Sequence, residues 1–445
     1  MSGRGGLLRT SGKGGLPHTS RRGGLLRTHG DFRRLWCGET TGKFGASVTS
    51  VSMPLIAVAT LNAGPFTVGL LTAASWAPWL LIGLPAGAWV DRLPRRPVML
   101  AAAAVSLVLF AALPLAASTG RLSVPLLLAV ALLTGTAAVF FQTAYTAYLP
   151  TLLAPEERAE GNAKLQGSAS AAQIAGLGTG GVIADLAGAV NAMYVNAATF
   201  LVSLLCLGRI RHREPRDTAK AARTTSLVGE VADGLRLVAR DPWLRPLTLF
   251  GAASNLALMG YQSIQVVFLV RGVGVGSGGV GVLVAATSVG GVAGAFLARG
   301  AVDRLGTARA LMLFELGFAV PALLMPLAFG GAGLALFVAG GFSVTAGVVA
   351  GNVIASGFRQ RYCPAELRGR LAASAAFLAY GTIPLGALLG GTLGSVLGPR
   401  AALALTSAGV PLAALILRFS PIGRTRDLPL SRERSEGEPA PAPAA

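Results

Sequence analysis

The sequence predicts an all-α integral membrane fold: twelve transmembrane helices arranged as two pseudo-symmetric bundles of six. Three observations carry that prediction. Of the 445 residues, 53% are hydrophobic and only 13% are charged, too little charge to cover a soluble protein of this length. Apolar runs near the ~20 residues that cross a bilayer recur along the whole chain. Finally, one stretch occurs twice. Val68-Gly69-Leu70-Leu71-Thr72-Ala73-Ala74 leads into Val90-Asp91-Arg92-Leu93, and Val280-Gly281-Val282-Leu283-Val284-Ala285-Ala286 leads into Val302-Asp303-Arg304-Leu305, without a gap, 212 residues on.

The elements follow in order. Residues 1–30 are basic, glycine-rich and repetitive, with Gly5-Gly6-Leu7-Leu8-Arg9-Thr10 recurring as Gly23-Gly24-Leu25-Leu26-Arg27-Thr28. No apolar core follows the charges, so they read as a disordered basic cytoplasmic tail rather than a secretory signal. Spans are expected over 35–61, 67–90, 97–117, 123–148, 161–184 and 190–208, making an N-terminal bundle over 31–208. Residues 209–243 form a cytoplasmic linker, whose stretch Leu227–Val238 has the period of a helix lying on the membrane surface. A C-terminal bundle over 244–420 holds spans at 244–270, 277–300, 309–328, 333–357, 371–396 and 400–419. Residues 421–445 turn charged and then Pro/Ala-rich, a second disordered tail. Gly and Pro within the spans are compatible with membrane helices.

The net charge of +19 raises the question of nucleic acid, and its distribution answers it. With alternating spans and a cytoplasmic N-terminus, all but four of the 38 Lys and Arg residues fall on the cytoplasmic side; Arg121, Arg271 and Arg400 fall outside and Lys43 within a span. The positive-inside rule therefore accounts for the basic balance and puts both termini in the cytoplasm. No nucleic-acid partner is expected, only the bilayer. Cys37, Cys206 and Cys363 are odd in number and far apart, which predicts neither disulfides nor a metal site. His18, His29 and His212 fall in loops. Abundant Ala, Gly and Arg with little Lys suggests a high-GC bacterial genome, hence the bacterial cell membrane.

Gly83, Gly87 and Asp91 are spaced by four and share one face of the second span. Small residues at that spacing admit a neighbouring helix closely. Asp91 then stands at the span's end before Arg92, Arg95 and Arg96, where a carboxylate can pair with arginine or cap a facing helix. Such a cluster suits a gate that locks one conformation and releases in another; the simpler alternative is a turn obeying the positive-inside rule. Similar ladders are Gly176 and Gly180, Gly290, Gly294 and Ala298, and Gly386, Gly390 and Gly394.

The run Gly83-Leu84-Pro85-Ala86-Gly87-Ala88-Trp89-Val90-Asp91-Arg92-Leu93-Pro94-Arg95-Arg96 resembles the loop 2–3 signature of the major facilitator superfamily. Phe32-Arg33-Arg34-Leu35-Trp36 with Gly38-Glu39, Tyr148-Leu149-Pro150 and Asn162-Ala163 resemble its actinobacterial exporter branch, which includes siderophore and macrolide efflux proteins. The resemblance covers roughly residues 30–420 and implies the major facilitator fold, with helix 2 facing helix 11 and helix 5 facing helix 8 across the halves. It thereby implies that Gly176, Gly180, Gly290, Gly294, Gly386, Gly390 and Gly394 are interbundle sliding contacts. There are departures. Leu177 stands where antiporters of the superfamily carry proline in helix 5, the fourth span has Gln142 and no basic residue, and Ala103 and Ser106 stand where relatives often have Asp and Arg. The second motif copy keeps Asp303 and Arg304 but has Gly306, Thr307 and Ala308 where the first has Pro94, Arg95 and Arg96.

Charges within spans cost at least about 3 kcal/mol to bury, so each is a functional candidate. Glu39 and Lys43 are four apart, acid first, as a coupling pair or as interfacial residues beside Trp36. Glu315 lies about two turns into the ninth span, at the repeat position of Ala103, either as a coupling acid or as partner of a loop arginine such as Arg304 or Arg309. Gln142, Tyr145, Gln173, Asn255, Tyr261, Gln262 and Asn352 are candidates for the substrate path, or for interhelical hydrogen bonds. Aromatic residues, at 7%, suggest no dedicated cation cage.

The expectation is a monomeric secondary transporter that exports a small amphipathic compound, a drug or secondary metabolite, by proton antiport, with no cofactor and no metal. The chain has no nucleotide-binding loop. An importer of the same fold and a non-transporting membrane sensor remain open. A membrane enzyme would need catalytic groups that the spans do not offer.

Overall fold

The computed structural model describes residues 24–212, 235–236, 238–363 and 365–429. The chain runs through twelve helical segments: α1 Gly30–Leu55, α2 Pro65–Arg92, α3 Arg95–Ser118, α4 Val124–Leu152, α5 Arg158–Ala187, α6 Ala192–Gly208, α7 Leu244–Val267, α8 Ser277–Leu305, α9 from Thr307–Met312 onward, α10 Leu334–Tyr362, α11 Ala365–Leu397 and α12 Pro399–Arg418. Among the described residues there is no strand. Ten of these stretches are long and apolar enough to cross a membrane. The two that fall short are explained by their sequences. Helix α6 has 17 residues. Helix α5 opens with the polar turns Arg158 to Ser168 and is flanked by α1 and α8, so lipid does not dictate its composition.

Within each half the helices pair in the same pattern. Helix α1 packs on α5 and α6, α2 on α4, and α3 on α4 and α6. Correspondingly, α7 packs on α11 and α12, α8 on α10, and α9 on α10 and α12. The halves meet through α2 against α11 and α5 against α8, the two pairs expected from the resemblance. The duplication reaches the backbone: α1 ends in a π-helical turn at Ile56–Thr60 and α7 in one at Phe268–Val273, starting 212 residues apart.

Three apolar cores show how the bundle is closed. At the end opposite the termini one core crosses both halves, joining Val51, Ile56, Val68 and Leu177 to Leu258, Ile264, Phe268 and Val280. At the terminal end each half has its own. Phe32, Tyr148, Leu165 and Leu207 cluster in the first, and Phe250, Phe314, Phe358 and Leu417 in the second. Burying one apolar core across two bodies holds them together, whereas two separate cores do not. Among the described residues the halves are therefore joined at the far end and separate at the terminal end.

Two tail expectations are corrected in part. Residues 24–30 are structured: Leu25–Thr28 forms one helical turn, Leu25 is 3% exposed, and its N–H donates to Glu160 Oε1 at 3.0 Å. Residues 421–429 are structured too, with a 3₁₀ turn at Pro421–Arg424 and Ile422 and Leu428 buried against the C-terminal core. One or two apolar side chains in each polar segment dock it. Residues 1–23, most of the proposed surface helix at Leu227–Val238, and residues 430–445 lie outside the described residues.

Candidate functional site

The site is built on a helix that its own sequence breaks. Pro321 and Pro326 cannot donate to the helical ladder, and α9 accordingly passes from α-helix to a π turn at Leu313–Gly317 and then to a 3₁₀ segment at Val320–Leu327. The Ala322 N–H bonds Ala319 O instead of Phe318 O, and Ser343 Oγ on α10 donates to the freed Phe318 carbonyl at 2.8 Å. Interrupted helices in membranes survive where a neighbour supplies such a bond. Glu315 sits at the middle of the π turn, and π turns concentrate at functional sites.

The Glu315 side chain lies directly over Gly351 of α10, where a Cβ would overlap its carboxyl oxygen. It is 8% exposed, and among the described residues no ion pair joins it to Arg304 or Arg309, both of which are exposed. The partner-arginine alternative thus has no support in the geometry. Glu315 instead lines a cavity of about 140 Å³ together with Thr248, Phe250, Ser254, Asn255, Leu258, Val348, Asn352 and Arg359. Three residues chosen from the sequence for separate reasons, Asn255, Glu315 and Asn352, therefore share one chamber, walled by α7, α9, α10 and α11. Arg359 and Gly351 were missed. Arg359 stands near the end of α10 with Arg361, where basic residues need no special reason; its separation of seven from Asn352, two helical turns, was the available signal.

The other coupling pair lies in the first half. Glu39 and Lys43 form an ion pair at 3.3 Å; Glu39 is 8% exposed and acts electrostatically on Tyr145 of α4. Neither residue lines the cavity. Of the remaining path candidates, Tyr261 is 4% exposed and belongs to the far-end core, which makes it a packing residue. Gln142 is half-buried, and Gln173 and Gln262 are exposed; none lines the cavity.

The gating motif stands at the divided end. Asp91 and Arg92 are exposed, and a side chain at Gly83 or Gly87 would meet nothing among the described residues. Arg96 caps the C-terminus of α6, donating through Nε to Leu207 O at 3.1 Å and through Nη2 to Gly208 O at 2.6 Å. In the second half Asp303 and Arg304 are exposed as well. There the corner is tied with reversed polarity: Asp427, beyond α12, accepts from the Thr307 N–H at 2.8 Å, and the Leu428 N–H donates to Thr307 Oγ1 at 2.7 Å. An acid capping the start of α9 thus stands where the first half has a base capping the end of α6.

The glycine ladders are corrected. Gly176 and Gly180 face Phe44, Ser47 and Val48 of α1, Gly290 and Gly294 face Phe342 and Ala346 of α10, and Gly386 and Gly390 face Leu256 and Gly260 of α7. All six pack inside a half, because spacing by four fixes a shared face but not the neighbour that meets it. Gly394 meets both Ile264 of its own half and Pro65 of the other. The seams between halves use the glycines of the duplicated stretch. A Cβ on Gly69 would meet Ala387 O at 2.5 Å and Gly391 Cα at 2.9 Å; one on Gly281 would meet Gly181 Cα at 2.5 Å. Gly69 and Gly281 occupy the same position of the repeat, 212 residues apart.

A sequence profile of the Major Facilitator Superfamily matches residues 35–274, more than half of the chain. The chain belongs to this superfamily. It is a multi-pass membrane transporter, similar to the multidrug efflux pump Tap of Mycolicibacterium fortuitum at 28% identity over 400 residues, covering 87% of this chain and 95% of that one. Among solved structures it superimposes on a bacterial homologue of the iron transporter ferroportin with a TM-score of 0.70 at 18% identity, covering 89% and 98% of the two chains. The nucleoside transporter NupG matches with a TM-score of 0.67 at 11% identity, covering 87% and 98%. The superfamily's fold thus holds a cavity whose lining residues come from the C-terminal half.

Proposed function

We propose that this transporter exports small amphipathic compounds, drugs or secondary metabolites, across the bacterial plasma membrane by proton antiport with alternating access. The observation that carries the reading is Glu315, an acid 8% exposed in a polar-lined cavity and without an ion pair among the described residues. A carboxyl group so placed is costly to keep charged in a membrane interior and is a default site for proton exchange. The distribution of basic residues puts the termini and the divided end in the cytoplasm, so the conformation presents the cavity to cytoplasmic substrate. Export agrees with the efflux activity named for the Mycolicibacterium fortuitum relative. The chain acts as a monomer, since each half supplies one side of both seams.

Purified protein in lipid vesicles tests this. With a panel of fluorescent amphipathic compounds outside and an acid interior, protons leaving are expected to drive accumulation of at least one compound, and collapse of the pH gradient to stop it. Accumulation driven by an acid exterior instead would indicate a proton-coupled importer. Absence of flux for every compound would indicate a sensor.

A further inference from the structure

The rings of Trp76 and Trp79 on α2 and Tyr380 on α11 form a cluster that crosses the seam between the halves. Trp79 and Tyr380 have centroids 4.7 Å apart, Trp76 and Tyr380 6.2 Å, and the two tryptophans 6.3 Å. All three are half-buried. The helix faces show where that exposure points. Leu81, two residues beyond Trp79 and so about 200° around the helix, is 70% exposed and marks the lipid side of α2. On α11 the exposed Leu385, Leu389 and Val396 mark the lipid side, and from the helical repeat all lie within about 40° of the direction opposite Tyr380. The free ring faces therefore turn to the interior.

Their depth places them at the roof of the opening. Toward the far end Gly69 touches Gly391; just past the rings a Cβ on Gly381 would meet Leu80 at 3.4 Å; beyond that Gly83 and Gly87 meet nothing among the described residues. The cluster is thus near the last contact of this seam among the described residues. Leu378 and Ala379, which line the cavity, precede Tyr380 on α11.

We propose that Trp76, Trp79 and Tyr380 form an aromatic subsite that takes the flat ring system of an aromatic cation. This rests on the exporter reading above and names its substrate class. Ring faces of Trp and Tyr attract cations and stack on planar systems.

The test uses the full chain in lipid nanodiscs, with ethidium as a planar aromatic cation read by fluorescence anisotropy and tetrabutylammonium as a non-aromatic cation read by calorimetry. Ethidium is expected to bind the wild type and to bind about tenfold more weakly to Trp79→Leu and to Tyr380→Leu, with tetrabutylammonium, which cannot stack, weakened clearly less. Trp79→Phe, which keeps a ring, is expected to retain most of the ethidium affinity. Unchanged ethidium affinity in both leucine variants would overturn the proposal. So would equal loss of both ligands, which is the mark of a merely structural contact, or no ethidium binding to wild type. The exporter reading is judged separately by pH-driven flux: coupled flux that ignores the ring variants sinks only the subsite, and ethidium binding without any flux sinks only the exporter.

Discussion

Replacing Gly281 with leucine is expected to abolish transport while leaving the protein folded in the membrane. Gly281 and Gly181 stand backbone to backbone at the α5–α8 seam, and a first side-chain atom on either would lie 2.5 Å from the other's Cα. No rotamer relieves a clash with backbone, so the helices must separate. Overpacking of this kind costs about 1–3 kcal/mol, and each ~1.4 kcal/mol changes a population ratio tenfold. The far-end-sealed conformation is therefore expected to fall about tenfold or more in population. Gly69→Leu, at the equivalent position against Ala387 and Gly391, is expected to do the same. Gly87→Leu is expected to act in the opposite sense, since a side chain at Gly87 meets nothing among the described residues in this conformation and would collide when the terminal end closes. Labelling of engineered cysteines from each side of the membrane checks both: far-end sites gain reactivity in Gly281→Leu, and terminal-end sites stay reactive in Gly87→Leu.

Glu315→Gln is expected to remove pH-driven export almost completely while leaving substrate binding and equilibrium exchange in place. The amide keeps the shape over Gly351 and the hydrogen-bonding capacity toward the cavity, so packing changes little. It cannot take or give a proton, so any step that depends on the acid's charge is lost. The expected signature is a flat pH profile of exchange in the variant against a steep one in the wild type. Glu39→Gln is expected to be milder, because Glu39 has Lys43 as an ion-pair partner at 3.3 Å and lies outside the cavity. Equal losses from the two substitutions would place coupling in both halves.

The twofold plan was legible because the duplicated stretch carries it, and the pairing of α1 to α6 repeats in α7 to α12. The exact seam residues were less so. Val68-Gly69 and Val280-Gly281 were visible as a repeat, yet the family resemblance assigned the sliding contact to the four-spaced ladders, which apart from Gly394 pack inside the halves instead. Helical spacing reports which residues share a face; the neighbour that meets the face is a tertiary fact. The cavity shows the same limit. Asn255, Glu315 and Asn352 stood out singly as polar groups in apolar runs, and only the packing of α7, α9 and α10 brings them to one chamber. The aromatic cluster was hidden because its rings come from α2 and α11, some 300 residues apart, and a 7% aromatic content argued against it. Leu25 and Leu428, set in polar tails, carried no helical period that would mark them as buried.

Alternation between two conformations, governed by Glu315, is most directly tested by a distance across the divided end. Nitroxide labels at Glu156→Cys and Arg309→Cys, both exposed and one in each half, report it in a background with Cys37, Cys206 and Cys363 replaced by serine. Pulsed electron–electron resonance on the wild type in nanodiscs is expected to show a long and a short separation whose ratio shifts with pH, and Glu315→Gln is expected to fix that ratio at all pH values. A single separation indifferent to pH and substrate, or the same pH response in Glu315→Gln as in the wild type, would contradict the account.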